Sequence, residues 1–153
     1  MDQRIARISQ HLSKLSSAKD FDPKSVGHAL GHVFILDIER EGAGPPQLRI
    51  KLMGTALESM FGRPLAGQLL ESFIHGPRGV DVIRGFHNCA HTREPLWMRQ
   101  IVKLPDRMPR FVEGVLYYLA PERIYGGLAM GEWTHSEESS FERRAIGQEP
   151  VPT

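Results

Sequence analysis

Three strand-like segments in the second half of the chain constrain the fold most. They cover residues 96–104, 111–119 and 125–133, and each is rich in aromatic and branched residues. Turn-forming residues fill both gaps, with Pro105-Asp106 in the first and Pro121-Glu122 in the second. Because gaps this short leave no room for a crossover helix, the three segments are predicted to pair as an antiparallel meander.

Two further strands are predicted earlier in the chain, at residues 32–39 and 47–53, with a Gly- and Pro-rich turn between them. The second of these alternates between apolar and charged residues, as in a strand with one buried face. Its inward-facing set is predicted to be Leu48, Ile50 and Leu52. The pair is therefore predicted to form a hairpin.

Helices are predicted between and around the strands. The longest begins at Pro77 and ends near His91, and shorter ones occupy residues 23–30, 56–61 and 68–74. After residue 133, Thr134 and Glu137 form a capping box that predicts a terminal helix to about Arg144. The order of elements predicts an α+β fold, a five-stranded antiparallel sheet with helices on one face.

An amphipathic helix is predicted at the start of the chain, with apolar residues three and four positions apart. In segment 96–104, alternation places Met98 toward the helices and Trp97 and Ile101 on the back of the sheet. An exposed Trp–Ile patch needs a cover, and the helix stripe is predicted to supply it, from the same chain or from a second copy. The predicted homodimer interface is therefore Ile5, Ile8, Leu12, Leu15, Trp97 and Ile101.

Bulk properties exclude several classes of protein. The 153 residues favour one domain with some extension, and the net charge of +1 argues against a general nucleic-acid binder. No apolar segment approaches the roughly 20 residues of a membrane span, and the first residues lack the apolar region of a secretory signal. The single cysteine, Cys89, excludes an internal disulfide, so a cytoplasmic protein is predicted.

The segment GTALESMFGRPLAGQLLESF, residues 54–73, resembles the helical part of PAS domains, in which a short helix ends in Phe-Gly and a second Gly precedes another turn. The lead-in DFDPKSVGHALGHVFILDIE and the closing YGGLAMGEW are similar to a subgroup of small, often single-domain bacterial PAS proteins, common in alphaproteobacteria. The resemblance covers residues 21–133, leaving 1–20 as an N-terminal helix and 134–153 as a C-terminal helix and loose tail. It implies the sheet order 2-1-5-4-3.

The inner face of such a sheet offers either a filled core or a small-molecule pocket. The candidate ligand-binding residues are His87, Phe61, Phe73, Phe86, Met98, Tyr118 and Met130. His87 is the sharpest candidate, because the resemblance implies that a haem-binding PAS domain takes its axial histidine from the corresponding helix. The alternative is a histidine at the edge of the core or facing solvent.

Other chemistries find less support in the sequence. Cys89 is followed by Ala90-His91, which departs from the Asn-Cys-Arg-Phe-Leu-Gln segment of flavin-binding relatives. Metal ligands with a converging spacing, a nucleophile elbow and a phosphate loop are all missing from the sequence, so neither a metal site nor catalysis is predicted.

The sequence therefore predicts a sensory or signalling module, not an enzyme, that acts through contact with its own copy and with an unidentified signalling protein. No cofactor is expected. The alternatives are a sensor of haem or a small metabolite, and a small α+β enzyme.

Overall fold

The protein is described by a computed structural model over residues 1–74, 77–102, 110–132 and 142–145. Side chains are described for residues 1–72, 74, 81–100 and 112–131. The helices of the described residues are α1 (Gln3–Leu12), α2 (Pro23–Val26), α3 (Thr55–Phe61), α4 (Leu70–Phe73) and α5 (Pro77–Thr92). Two short 3-10 helices cover Ala18–Asp20 and Gly27–His32. The strands are β1 (Val33–Glu39), β2 (Gln47–Met53), β3 (Leu96–Val102), β4 (Arg110–Leu119), β5 (Arg123–Glu132) and β6 (Glu142–Ala145).

All the strands form one antiparallel sheet in the order β2-β1-β5-β4-β3-β6. The first five strands therefore have the predicted order 2-1-5-4-3, and the predicted meander is confirmed. Its register places Val115 of β4 opposite Trp97 on one side and Gly127 on the other.

The sixth strand corrects the prediction of a C-terminal helix that reaches Arg144. Residues Glu142–Ala145 form β6 and pair with β3, with Arg144 opposite Trp97. The remainder of the predicted helix and the tail lie outside the described residues. The physical reason is that β3 would otherwise end the sheet with unpaired backbone groups, which β6 satisfies.

A β-bulge corrects the predicted alternation of β2. Ile35 pairs with Leu52 and Leu36 pairs with Ile50, so Lys51 is an extra residue on β2. The bulge turns Leu52 to the opposite face, where its side chain is 43% exposed. Leu48 and Ile50, which precede the bulge, are buried as predicted.

Each face of the sheet carries its own apolar core. The inner cluster lies between the sheet and helices α3, α4 and α5, and it includes Phe34, Leu36, Ile50, Leu57, Phe86, Met98 and Leu116. The outer cluster lies between the sheet and α1, and it includes Ile5, Ile8, Leu12, Ile35, Trp97, Val115, Tyr117 and Tyr125. A sheet that is apolar on both faces needs a layer on each side, and α1 provides the second one.

Candidate functional site

Most of the aromatic and methionine residues predicted on the inner face lie together there. Phe86 and Met98 are buried in the inner cluster, and the partly buried Phe61 and Tyr118 pack against it. Met130 is partly buried, while the side chain of Phe73 lies outside the described part of the chain. The inner face is therefore lined as predicted, with large apolar side chains in mutual contact.

Helix α5 packs one face against the sheet. In its described part, Val82, Phe86, Cys89 and Ala90 are buried, whereas Ile83 and His87 are only partly buried. Phe86 lies near the centre of this face because its ring packs against Phe34, with 5.8 Å between ring centroids. His87 is consequently displaced to the edge of the core.

The imidazole of His87 is hydrogen-bonded to a carboxylate. Its Nε2 lies 2.9 Å from Oε1 of Glu71, and both side chains are 28% exposed. The same Glu71 oxygen accepts a hydrogen bond of 3.1 Å from the backbone N–H of Leu48 in β2. The pair thus connects α5, α4 and β2, and the described conformation uses the nitrogen that a haem iron would need.

Cys89 is buried against the sheet in α5. Burial raises the pKa of its thiol from 9.0 to about 12, against a smaller lowering by a hydrogen bond to the backbone of Tyr118. Because only the thiolate reacts, we expect a maleimide at pH 8 to label the folded chain about a thousandfold more slowly than the chain in urea.

The same shift gives Cys89 a defined effect on stability. The thiol ionises in the unfolded chain near pH 9 but stays protonated in the folded chain up to about pH 12. Its contribution to the free energy of unfolding is therefore complete below pH 9 and is lost as the pH rises through this window. Urea titrations of the Cys89→Ala variant should lack that part of the alkaline decline, and equal declines would contradict the assignment.

Gln100 is a polar residue on the inner face that the sequence analysis passed over. It follows Leu96 and Met98 at the same alternation in β3, and this periodicity is the signal that could have found it. Its amide oxygen Oε1 is buried and has no hydrogen-bond partner within the described part of the chain. Such a buried acceptor is expected to find a donor, because leaving it unpaired costs free energy.

The apolar stripe of α1 lies on the outer face of its own sheet. Ile5, Ile8 and Leu12 are fully buried in the outer cluster together with Trp97, which is 5% exposed. Leu15 is partly buried against the same cluster, and the side chain of Ile101 lies outside the described residues. The cover of Trp97 was predicted to come from the same chain or from a second copy, and in the structure it comes from the same chain. A homodimer interface formed by these residues stays a prediction.

A buried carboxylate fixes the start of α1 to the sheet. Glu113 of β4 is 5% exposed and accepts hydrogen bonds from the backbone N–H of Asp2, at 2.6 Å, and from Nε1 of Trp97, at 3.1 Å. Farther along the helix, the hydroxyl groups of Ser9 and Tyr117 form a short buried hydrogen bond. Burial raises the pKa of Tyr117, with a smaller opposing effect of Ser9. The sequence signal for this anchor is a carboxylate within an otherwise apolar strand.

Arg4 joins three elements at the same end of α1. Its Nε and NH2 groups donate to the two carboxylate oxygens of Asp2, at 3.1 and 2.9 Å, and NH2 also donates to the carbonyl of Met130 at 3.2 Å. Its NH1 lies 3.4 Å from Nε2 of His32. The hydrogen bond from Arg4 holds the pKa of Asp2 below its usual value, although desolvation opposes it. The helix start is thus tied to β5 and to the segment Gly27–His32.

A second polar cluster joins the end of α5 to the β4–β5 turn. Arg40 forms an ion pair with Glu122 and donates 3.0 Å to the carbonyl of Ala90, while the guanidinium of Arg93 lies over the ring of Tyr118. The hydrogen bond from Arg40 is the largest of the effects that lower the pKa of Glu122. The groups are partly exposed and interact with one another, so we assign them to the attachment of α5.

The described residues offer neither a metal site nor a membrane-spanning helix. No group of three or more histidine, cysteine, aspartate or glutamate side chains in that part of the chain could hold a metal ion. None of its helices has the length and apolar character required to cross a membrane.

Comparison with known proteins identifies one family. A family model described as a PAS domain matches residues 7–98, more than half of the chain. A solved structure titled "Structure of an RNA-binding Light-Oxygen-Voltage Receptor" is similar to this chain, with 15% identity and a TM-score of 0.46. The match covers 69% of this chain and 32% of the receptor chain. Comparison with curated proteins gives no significant match.

Proposed function

Since the chain belongs to the PAS domain family, whose members are sensory and signalling modules, we propose that it signals by contacting other proteins, its own copy included, through the outer face of its sheet. The single observation that supports this function is the construction of that face. Three aromatic side chains, Trp97, Tyr117 and Tyr125, are buried there beneath α1 and the segments that follow it, and the ring of Phe21 packs against Tyr125.

An aromatic surface of this composition is well suited to protein contact once it is uncovered. Tyrosine and tryptophan are enriched in interfaces because they offer a large apolar area together with a polar group. Here the hydroxyl of Tyr117 is hydrogen-bonded to Ser9, and the indole N–H of Trp97 is hydrogen-bonded to Glu113. The Trp97–Glu113 bond lies within the sheet, but a partner helix would have to replace Ser9 at Tyr117 and the N–H of Asp2 at Glu113. This requirement gives the surface specificity for the shape and polarity of α1.

The partner that fits this requirement best is α1 of a second copy. Exchange of α1 between two chains would reproduce every contact of Ile5, Ile8, Leu12 and Trp97 across a homodimer. The chain beyond α1 is fixed to the β4–β5 turn, since the N–H of Ala18 donates to the carbonyl of Ala120 at 2.7 Å. Ser16 is attached to the same turn, since its carbonyl accepts a hydrogen bond of 3.0 Å from the N–H of Ala120. The hinge would therefore lie at residues 13–15, and short hinges favour exchange over closure within one chain.

Native mass spectrometry with multi-angle light scattering tests the proposal on the intact chain. We expect a dimer at micromolar concentration, and we expect Ile8→Asp to abolish it because the aspartate cannot enter the outer cluster. Gln10→Asp adds the same charge to the exposed side of α1 and should leave the dimer intact. A monomeric wild-type chain, or an Ile8→Asp variant that remains dimeric, would contradict helix exchange.

A sensor of a small molecule is the second candidate, and the unpaired amide oxygen of Gln100 favours it. A ligand with one hydrogen-bond donor and an otherwise apolar body would complement the inner face. Haem is the less favoured ligand because His87 is bonded to Glu71. The same mass spectra, recorded on protein purified from cells, distinguish these cases by a mass excess per chain and by a Soret absorbance band.

The third candidate, a small enzyme, has no comparable support. Both oxygens of the buried Glu113 accept hydrogen bonds from the protein on a face that α1 covers. A general acid or base must instead reach its substrate. The cytoplasmic location, the unidentified signalling partner and the absence of a nucleic-acid partner remain predictions from the sequence.

A further inference from the structure

We propose that His32 makes the attachment of α1 sensitive to acid, so that protonation of its imidazole releases the N-terminal end of α1 from the sheet. The inference follows from contacts of α1 that are the same whether the helix covers its own sheet or, as in the proposed homodimer, a second copy. It therefore does not depend on the oligomeric state.

The hydrogen bonds of His32 require a neutral ring. Nδ1 lies 3.0 Å from the carbonyl oxygen of Leu128, which can only accept, so Nδ1 carries the proton. Nε2 lies 3.4 Å from NH1 of Arg4, and a guanidinium can only donate. Nε2 must therefore offer a lone pair. The neutral ring with its proton on Nδ1 satisfies both partners, and the protonated ring cannot.

Arg4 cannot easily turn away from a protonated His32. Both oxygens of Asp2 and the carbonyl of Met130 hold its guanidinium in place. Protonation would leave two N–H groups and two positive charges facing each other between the start of α1 and the segment Gly27–His32. The contact that fastens the helix would become repulsive.

The carboxylates of Asp2 and Glu113 offset part of the charge of Arg4, so the lost hydrogen bond between Arg4 and His32 is the main effect of protonation. The segment Gly27–His32 packs against α1, α2, α3 and β5. The charged or titratable side chains described in these elements are Arg4, Arg7, His11, Lys24, Glu58, Arg123 and Tyr125. Arg4 is the member of this set that is hydrogen-bonded to the His32 ring in the described residues. The nearby Asp2 is engaged by Arg4, and Glu113 is engaged by Asp2 and Trp97.

The other end of α1 provides a matched comparison. His11, like His32, accepts a hydrogen bond through Nε2, in this case from the backbone N–H of Asp22 at 3.0 Å. It lies in the last turn of α1, however, where the helix dipole favours a positive charge. Protonation of His11 thus loses one hydrogen bond but gains a favourable interaction, so His32 is the residue that should control release.

Hydrogen exchange of the α1 amides tests the proposal on the full chain. Histidine changes its charge between about pH 5 and 8. After correction for intrinsic exchange rates, we expect protection of residues 3–12 to fall about tenfold between pH 7.5 and 5.5, the factor that corresponds to roughly one lost hydrogen bond. Protection of the central strands β1 and β5 should not change. In His32→Gln the fall should disappear, because a glutamine amide can donate to Leu128 and accept from Arg4 at every pH.

Two further variants distinguish the effect of His32 from that of the other groups on α1. His11→Gln should retain the fall, and Arg4→Gln should reduce it because its amide oxygen can accept from a protonated His32. The Arg4 variant also tests the proposal if His32→Gln does not fold. An equal fall in His32→Gln, or no fall in the wild-type chain, would overturn the inference. A wild-type chain that is monomeric but still shows the fall would contradict helix exchange alone.

Discussion

Ile8→Ala should lower the free energy of unfolding by about 2–5 kcal/mol, the usual range for removing a large aliphatic side chain from a core. Ile8 is fully buried at the centre of the α1 stripe, and its Cδ1 lies 2.6 Å from the position that a Cβ on Gly127 would take. The helix therefore rests directly on the backbone of β5, and the truncated side chain would leave a cavity there. Urea denaturation followed by circular dichroism measures the change.

The control is on the same helix. Gln10 is exposed, and Gln10→Ala should change the free energy of unfolding by no more than about 0.5 kcal/mol. If Ile8→Ala were as mild as Gln10→Ala, α1 would not be packed on the sheet in solution. The same comparison by hydrogen exchange would show whether the loss is confined to α1 or extends to β4 and β5.

Gly126→Ala should destabilise the fold by about 3 kcal/mol, at the upper end of the range for overpacked cores. A Cβ at this position would lie 2.3 Å from the carbonyl oxygen of Val115 and 2.5 Å from Cζ of Phe34. The first neighbour is backbone of the adjacent strand and the second is a buried ring, so neither can move without disturbing the sheet or the inner cluster. A shift of the urea midpoint without a change of slope would report this loss.

Gly131→Ala is the matched control for this prediction. It lies on the same strand, and among the described residues a Cβ there would meet nothing within 4 Å. The two substitutions change backbone entropy in the same way, so their difference isolates the steric term. Equal effects of the two variants would show that β5 does not pass as closely beneath Phe34 and Val115 as described.

Local patterns in the sequence were sufficient for most of the sheet. Alternation identified five strands, and the short gaps after β3 and β4 required antiparallel neighbours. The stripe of α1 and the exposed position predicted for Trp97 both called for a covering layer on the back of the sheet. These inferences succeeded because each depends on the periodicity of one element, which its own residues determine.

The candidate sites were predicted less well because they depend on contacts between distant parts of the chain. Asp2 and Glu113 are hydrogen-bonded across 111 positions, and His32 and Leu128 across 96. Whether His87 faces the core or lies at its edge depends on the rotation of α5, which the packing of Phe86 on Phe34 determines. The bulge at Lys51 likewise moved Leu52 to the other face without any signal in the alternation.

The sequence by itself determined the first five strands and the helices before them, and the motif of residues 54–73 determined the family resemblance. The tertiary structure decided that α1 covers its own sheet, that the segment Glu142–Ala145 joins β3, and that Glu113 and His32 fasten the helix. The physical reason is that secondary structure follows from local periodicity. The use of a face or a sheet edge follows instead from what the whole chain brings to it, since buried apolar area and unpaired backbone groups must be satisfied wherever partners lie.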